Sequence, residues 1–407
     1  MRKRLIDFCL PIISVAVFLL IAEGILWAVG FEPSMKRHGV EIPFWARNAG
    51  TFQRALEDVV LRTRKLTDDV SAYQDDFTLF YRLRPNMDIS VSFYDVSGKS
   101  LKNSFPDWIL ATDDHGHRCL PHDPMRGKGA SAKRAIDIAV MGGSSLFGWG
   151  TDYENTSAAG IGIRLNADHD DVDYRVTNYA VPGYAMSQQL HLLERIVRQS
   201  RKPEWIVLDA TSNCDVTSAV TDKVREKNRF SVFGRLRYWL GKLKLFNLME
   251  KLLMHIKPED EPKPQLQQAR RIPITQYPTY VQDFIELARK NDIRLVVVGM
   301  CAGRQYVETL KTIAQRENVP MVDFYDLVEQ AVSVPGAIPF EPGEEAMYRE
   351  IYPETLLKAR PSFYLTFPDE CHPNPTGHRL LAARLAAIID DTIGTQVKEE
   401  NGFGIRN

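Results

Sequence analysis

The chain has 407 residues, 44% of them hydrophobic, and its 51 basic side chains against 52 acidic ones leave a formal net charge of −1. That length fits one large domain with additions, or two domains, and the balance excludes wholesale disorder and gives no sign of a nucleic-acid partner. Nothing repeats at a fixed period.

At the N-terminus Arg2, Lys3 and Arg4 precede an apolar run over 8–29, interrupted only by Pro11, Ser14, Glu23 and Gly24. A hydrocarbon core is crossed by about 20 such residues. The expected reading of residues 1–31 is therefore an uncleaved signal anchor, a single transmembrane helix. A cleavable signal peptide ending near Ala28-Val29-Gly30 is the alternative, although its apolar region would be only roughly 7–15 residues long. The basic cluster stays in the cytoplasm, which places everything after Phe31 outside it, on the periplasmic side of an inner membrane. Glu23 is costly in lipid and is expected at the outer interface.

Five cysteines follow the same logic. Cys9 lies in the apolar run, and Cys119, Cys214, Cys301 and Cys371 can pair in three ways. A disulfide near the active site and free buried thiols both remain open. No two cysteines are spaced as C-x-x-C, so no zinc site is expected.

Residues 32–134 form a β-rich extension. Short strand-like alternation occupies 80–85 and 89–93, separated by Pro85-Asn86. The run Thr112-Asp113-Asp114-His115-Gly116-His117-Arg118 mixes carboxylates and imidazoles, and is read as a polar turn around Gly116 rather than a metal site. Residues 126–133 are a basic, Gly/Ser-rich joint.

From Ala135 onward, over 135–395, strands and helices alternate. Strands are predicted over 136–141, 174–180, 205–210, 293–299 and 321–324. Helices are predicted over 156–165, 187–199, 279–290 and 304–317, with a last amphipathic helix after Pro375. Such interleaving predicts a parallel five-stranded sheet covered on both sides, with ligands beyond the carboxyl ends of its strands. An insertion over 218–274 interrupts it. The first half is basic, from Lys223 to Lys244 with Glu226 as a lone counter-charge, and Leu245, Leu248, Met249, Leu252, Leu253 and Ile256 then recur at helical spacing. A helical hairpin packed on the core with its basic face in solvent is expected, against a basic helix resting on anionic lipid or covering the active site.

The chemistry resides in four separated segments. Asp369-Glu-Cys-His372 places a carboxylate where it can hold an imidazole in one tautomer, and Pro373 keeps the pair on a turn ahead of the last helix. Gly142-Gly143-Ser144-Ser145-Leu146-Phe147-Gly148 puts a serine directly after the first strand, among glycines that allow a sharp turn. A serine hydroxyl is inert at its own pKa and needs such an imidazole within reach, so Ser144, His372 and Asp369 are the predicted nucleophile, base and orienter. Ser145 is the rival nucleophile, disfavoured by the spacing to Gly148. Gly183 after the second strand and Asn213 after the third suit oxyanion donors, together with the Ser144 amide.

Taken together, in register and each in a strand-then-turn context, these blocks resemble the SGNH (GDSL-type) hydrolase superfamily over about 135–389. The resemblance implies a flavodoxin-like α/β/α sandwich, and hydrolysis of acyl esters with no cofactor and no metal. It also implies Ser144, Asp369 and His372 as the triad, and Ser144, Gly183 and Asn213 as the oxyanion hole. The anchor and extension are similar to those of exported bacterial members that act on envelope polysaccharides. An esterase or deacetylase acting on an O-acylated carbohydrate is therefore expected. An O-acyltransferase with the same triad, or a non-catalytic envelope scaffold, is the alternative. Two positions depart from the family pattern: Gly143 replaces the usual aspartate before the serine, and Cys214 stands between Asn213 and Asp215.

Overall fold

A computed structural model describes residues 2–31, 34–37, 40–43, 72–91, 105–121, 133–218, 220–255 and 269–402. Helix α1 (Arg2–Ala28) opens the chain with Pro11 inside it. Among the described residues no helix is long and apolar enough to cross a membrane. The span expected over 8–29 begins among residues whose side chains lie outside the described ones.

Three antiparallel hairpins follow: β1 (Ser34–Arg37) with β2 (Val40–Pro43), β3 (Tyr73–Asp76) with β4 (Phe80–Leu83), and β5 (Asp88–Val91) with β6 (Trp108–Ala111). In the β3–β4 turn, Asp76 Oδ1 accepts from the amides of Thr78 and Leu79, the local bond that lets an aspartate start a turn. Gly116, at φ +85°, lies in the expected polar turn, where Asp113 accepts from the His115 and His117 amides. Burial lowers the His117 pKa to about 4, with His115 adding to the effect. The predicted strand over 89–93 ends at Val91, and residues 92 and 93, like the joint over 126–132, lie outside the described residues.

The central layer comprises β7 (Arg134–Met141), β8 (Val172–Asn178), β9 (Trp205–Asp209), β12 (Arg294–Gly299) and β13 (Met321–Asp323), all parallel. Their spatial order is β13-β12-β9-β7-β8. Numbered by sequence within this sheet, that is 2-1-3-4-5, a doubly wound order whose direction reverses between β7 and β9. Each of the five predicted strands is present to within two residues at either end. β9 is buried at every position, as a strand covered on both faces must be.

Around this sheet run α2 (Ser144–Phe147), α3 (Ser157–Asp168), α4 (Met186–Ile196), α8 (Tyr277–Lys290), α9 (Arg304–Arg316), α10 (Phe324–Ser333), α11 (Glu344–Ile351), α12 (Glu354–Ala359) and α13 (Pro375–Gly402). They form two groups. α3 and α10 pack on α13, whereas α4 and α9 pack on α8. One apolar core joins the sheet, these helices and the hairpins, burying Tyr81, Trp108, Trp205 and Leu385 in a single cluster. A second, aromatic cluster of Phe105, Tyr348, Tyr352, Phe363 and Phe367 lies directly under the Asp369 turn.

The insertion is more than the expected hairpin, although much of its basic face is in solvent as expected. It contains three helices, α5 (Asp222–Phe230), α6 (Val232–Leu240) and α7 (Lys244–His255). Its base is closed by β10 (Thr217–Ser218) pairing with β11 (Ala269–Arg270). Arg229 and Lys242 pair with Asp75 of β3, and Arg229 stacks on Tyr238 at 4.3 Å, while Lys223, Lys227, Arg235 and Arg237 lie exposed. The apolar side of α6 faces out as well, with Val232, Phe233, Leu236 and Trp239 exposed. The Pro-rich linker predicted over 258–264 lies outside the described residues.

Candidate active site

β7 delivers Ser144 to the point where the strand order reverses. Gly143 caps α2 in extended conformation, and Gly148, at φ +81°, ends it after one turn. A serine in so short a turn presents its hydroxyl at the sheet edge. The turn is held from behind by Arg118, which is fully buried and donates to the carbonyls of Phe147, Gly148 and Thr151. Its guanidinium lies 4.5 Å from the Phe147 ring centre, and burial pulls its pKa down to about 9. Asn178 adds a bond from Nδ2 to the Leu146 carbonyl at 3.3 Å.

Across the sheet edge stands the His372 turn. Its peptide bonds fold back on themselves: the Phe367 amide donates to the His372 carbonyl at 2.9 Å, and the Asn374 amide to Leu365 at 3.1 Å. Asn374 accepts from the Gly377 amide through Oδ1 and so starts α13, with Pro375 in the first helical position, where its missing N–H costs nothing. Gly377 is required there, because a Cβ would lie 1.9 Å from the Leu365 carbonyl oxygen.

Within the turn, Asp369 accepts from the Cys371 and His372 amides at 3.0 Å each through Oδ1, and pairs with His372 Nδ1 at 2.6 Å through Oδ2. Burial alone would raise this carboxyl. The charge and hydrogen bond of His372, with the two amides, outweigh it and hold Asp369 well below the ordinary carboxylate range. An ionised Asp369 only accepts, so Nδ1 of His372 carries the proton and the lone pair of Nε2 points away from it. Nε2 lies 2.6 Å from Ser144 Oγ, across 228 residues of sequence. The structure thus brings Ser144, His372 and Asp369 into one chain of hydrogen bonds. Ser145 is buried and donates instead to Cys301 Sγ at 2.9 Å, so the disulfide and not the imidazole engages its hydroxyl.

The predicted donors converge on the same edge. Asn213, at φ +53°, donates from Nδ2 to the Tyr184 carbonyl at 3.0 Å and to Ser212 Oγ at 3.2 Å. Its amide nitrogen lies beside Gly143, 2.6 Å from where a Cβ would be. Gly183 adjoins that Tyr184 carbonyl, at φ +84°. Its own carbonyl accepts from Arg271, a buried side chain that also pairs with Asp222 at 2.9 Å. The β3–β4 hairpin braces this loop, since Tyr81 donates to the Pro182 carbonyl and Tyr184 to that of Tyr81. Beyond Asn213, Cys214 turns into the core, and Asp215 accepts from the Gly303 amide at 2.8 Å.

Three features of the site were not read from the sequence. Asp209, at the end of β9, accepts from the Thr211 and Ser212 amides and from the Thr211 hydroxyl, and burial raises its pKa to about 7. Arg118 showed only as the end of a polar run. Cys301 and Cys371 form a disulfide with Cα atoms 4.5 Å apart, and Cys214 is a buried thiol outside it. The sulfurs of this pair and a His372 nitrogen are mutually close, but bonded sulfurs offer no thiolate to a metal.

The GDSL-like Lipase/Acylhydrolase family matches residues 92–385. No curated protein matches the chain. Solved structures with similarity include the psychrotrophic esterase EstA from a Pseudoalteromonas species, at 10% identity and TM-score 0.37, covering 63% of this chain and 98% of that one. A G-D-S-L family lipolytic protein from Veillonella parvula has 15% identity and TM-score 0.32, covering 61% and 94%. TesA has 16% identity and TM-score 0.35, covering 61% and 97%. With the family match spanning well over half of its length, the chain belongs to the GDSL-like lipase/acylhydrolases and is a carboxylic ester hydrolase.

Proposed function

We propose that Ser144 is the nucleophile of a serine esterase that removes O-acyl groups from an envelope or extracellular carbohydrate through an acyl-enzyme. The observation that carries this reading is the unbroken relay Asp369–His372–Ser144, with 2.6 Å at both links. Nε2 of His372 takes the hydroxyl proton as Ser144 Oγ bonds the ester carbonyl carbon. Collapse of the tetrahedral intermediate breaks the bond to the sugar oxygen, which leaves with the proton from His372. Water then repeats the sequence on the acyl-enzyme, releasing the acid and restoring Ser144. The negative oxygen is met by the Ser144 and Gly183 amides and by Asn213 Nδ2, whose longer bond to Ser212 is the one it would exchange.

The triad side chains keep contact with solvent, 18% for His372 and 28% for Asp369, which suits an acyl group borne on a bulky polymer. The Cys301–Cys371 disulfide supports an oxidising compartment, and α1 is proposed as the inner-membrane anchor that holds the catalytic part on the periplasmic side.

The purified full chain should hydrolyse p-nitrophenyl acetate, and Ser144→Ala should lower kcat by at least about 10³-fold. Intact-mass analysis of a trapped reaction should place an acetyl group on the peptide containing Ser144. Release of free acetate from an O-acetylated polysaccharide would support the carbohydrate reading. Acetyl transfer to an added sugar with no free acetate would replace hydrolysis by acyl transfer. Full activity in Ser144→Ala would remove the assignment altogether.

A further inference from the structure

The outward face of α6 has no use in ester hydrolysis. Val232, Phe233, Leu236 and Trp239 fall on one side of this two-turn helix, and Phe233 is 83% and Trp239 68% exposed. A soluble surface rarely leaves two aromatics of one short helix this bare. Exposed Leu252 and Leu253 extend the apolar character along α7. The segment is also one-signed: from Lys227 to Met249 there are six basic residues and no acidic one. Arg229 and Lys242 are bound to Asp75, and Arg235 and Arg237 lie exposed on the same helix as the aromatics.

The opposite side of the insertion is fixed in two directions. Towards the catalytic body, Phe77 of the β3–β4 turn packs edge-on against Tyr238 at 5.0 Å, and Glu226 of α5 pairs with His191 of α4. Towards the N-terminus, α7 begins on α1. Glu23 accepts from the Lys244 and Leu245 amides at 2.8 Å each, which satisfies donors that the first turn of a helix leaves unmade. Trp27 donates to the same carboxylate at 2.9 Å, and the Lys244 ammonium lies 4.6 Å from the Trp27 ring centre. Glu23 therefore serves as a cap for α7, which accounts for a carboxylate inside an otherwise apolar run.

We infer that α6 and the exposed side of α7 form a docking surface for an anionic lipid bilayer. The inference rests on the proposal that α1 is a membrane anchor. On that reading Glu23 and Trp27 stand at the outer headgroup level, where tryptophan is favoured, and the bonds from Glu23 bring the start of α7 to the same level. Phe233 and Trp239 enter the boundary between headgroups and acyl chains, and Arg235 and Arg237 meet the anionic headgroups. With the insertion held to both α1 and β3, such docking sets the orientation of the Ser144 edge relative to the membrane.

The test uses the full chain reconstituted in phosphatidylglycerol-containing vesicles whose lipids carry bromine high on the acyl chains, with tryptophan fluorescence as the readout. Trp239→Phe should remove a quenchable component, and Phe233→Trp should add one. Hydrolysis of p-nitrophenyl acetate, unchanged in both variants, checks the fold. Trp27→Phe reports the anchor separately. Quenching of Trp27 with none attributable to Trp239 or to a tryptophan at 233 would overturn the docking while leaving the anchor standing, and would point to a protein or a second copy as the cover of this face. Quenching of neither would remove both. Phosphatidylcholine alone, or Arg235→Gln with Arg237→Gln, should weaken the Trp239 component several-fold. Equal quenching under these conditions would overturn the anionic requirement.

Discussion

At position 143 a side chain would have to pass through Ser212. A Cβ there would lie 2.0 Å from Ser212 Oγ and 2.6 Å from Asn213 Nδ2. The backbone is not the reason, since Gly143 has φ −93°, which any residue adopts. The space is the reason. Where the family usually has an aspartate, this chain has no side chain, and the Ser212 hydroxyl fills the gap and accepts from Asn213. The two positions are thus one steric unit. Gly143→Ala should displace Asn213 and lower kcat/KM by about 10-fold to 100-fold, the scale of one weakened oxyanion donor. Adding Ser212→Gly should recover part of that loss, with kcat recovering more than KM. If Gly143→Ala hydrolyses p-nitrophenyl acetate at the wild-type rate, the contact does not set the position of Asn213.

Strand ends carry the site, and β9 ends on a buried carboxyl. Asp209 Oδ1 holds the turn that leads to Asn213, while Oδ2 is buried without a hydrogen-bond partner. Burial raises its pKa to about 7 from an unfolded value of about 3.9. A raised carboxyl contributes stability that is complete below about pH 4 and is lost as pH rises through 7. Asp209→Asn keeps the Oδ1 acceptor and removes the titration. Relative to that variant, the wild type should lose on the order of 4 kcal/mol between pH 4 and pH 8, read from urea midpoints. Parallel profiles for the two proteins would show that Asp209 does not titrate in this range. The sequence disclosed such strand ends well, because β7, β9 and β12 carry apolar runs closed by a glycine or a polar turn. It disclosed Asp209 poorly, since nothing local says that a carboxylate will be covered on every side. Helix α10 was missed for a different reason. Asp323-Phe324 continues an apolar strand pattern, but Asp323 accepts from the Tyr325 and Asp326 amides and so caps a helix starting at Phe324. The helices α11 and α12, of 8 and 6 residues, are too short to show a period. In the insertion the period identified the residues that share a face, but not the direction of that face. Asp75, more than 150 residues upstream of Arg229, decides it.

Over the whole molecule the site depends on bringing distant segments together, and the disulfide closes the last of these distances. Cys371 stands between Asp369 and His372, and Cys301, at φ +54°, follows the end of β12, 70 residues earlier. The bond therefore ties the turn that carries the imidazole to the sheet that carries the serine. Ser145, next to the nucleophile, donates to Cys301 Sγ, so the cross-link touches both sides of the relay. A loop of this length contributes about 4 kcal/mol by constraining the unfolded chain. Cysteine spacing could not single out this pairing, because three pairings were open and the partner depends on the order of strands. Cys371→Ser, or reduction of the wild type by dithiothreitol, should lower the thermal midpoint. It should also lower kcat more than it raises KM, because the freed turn holds His372 less firmly without altering where an ester binds. Cys214→Ser serves as the control, since that thiol is buried, unpaired in any disulfide and raised in pKa by burial. It should leave kcat close to the wild-type value. If mass analysis confirms the reduced pair while midpoint and kcat stay unchanged, the aromatic cluster beneath Phe367 holds the turn on its own, and the disulfide has no part in positioning His372.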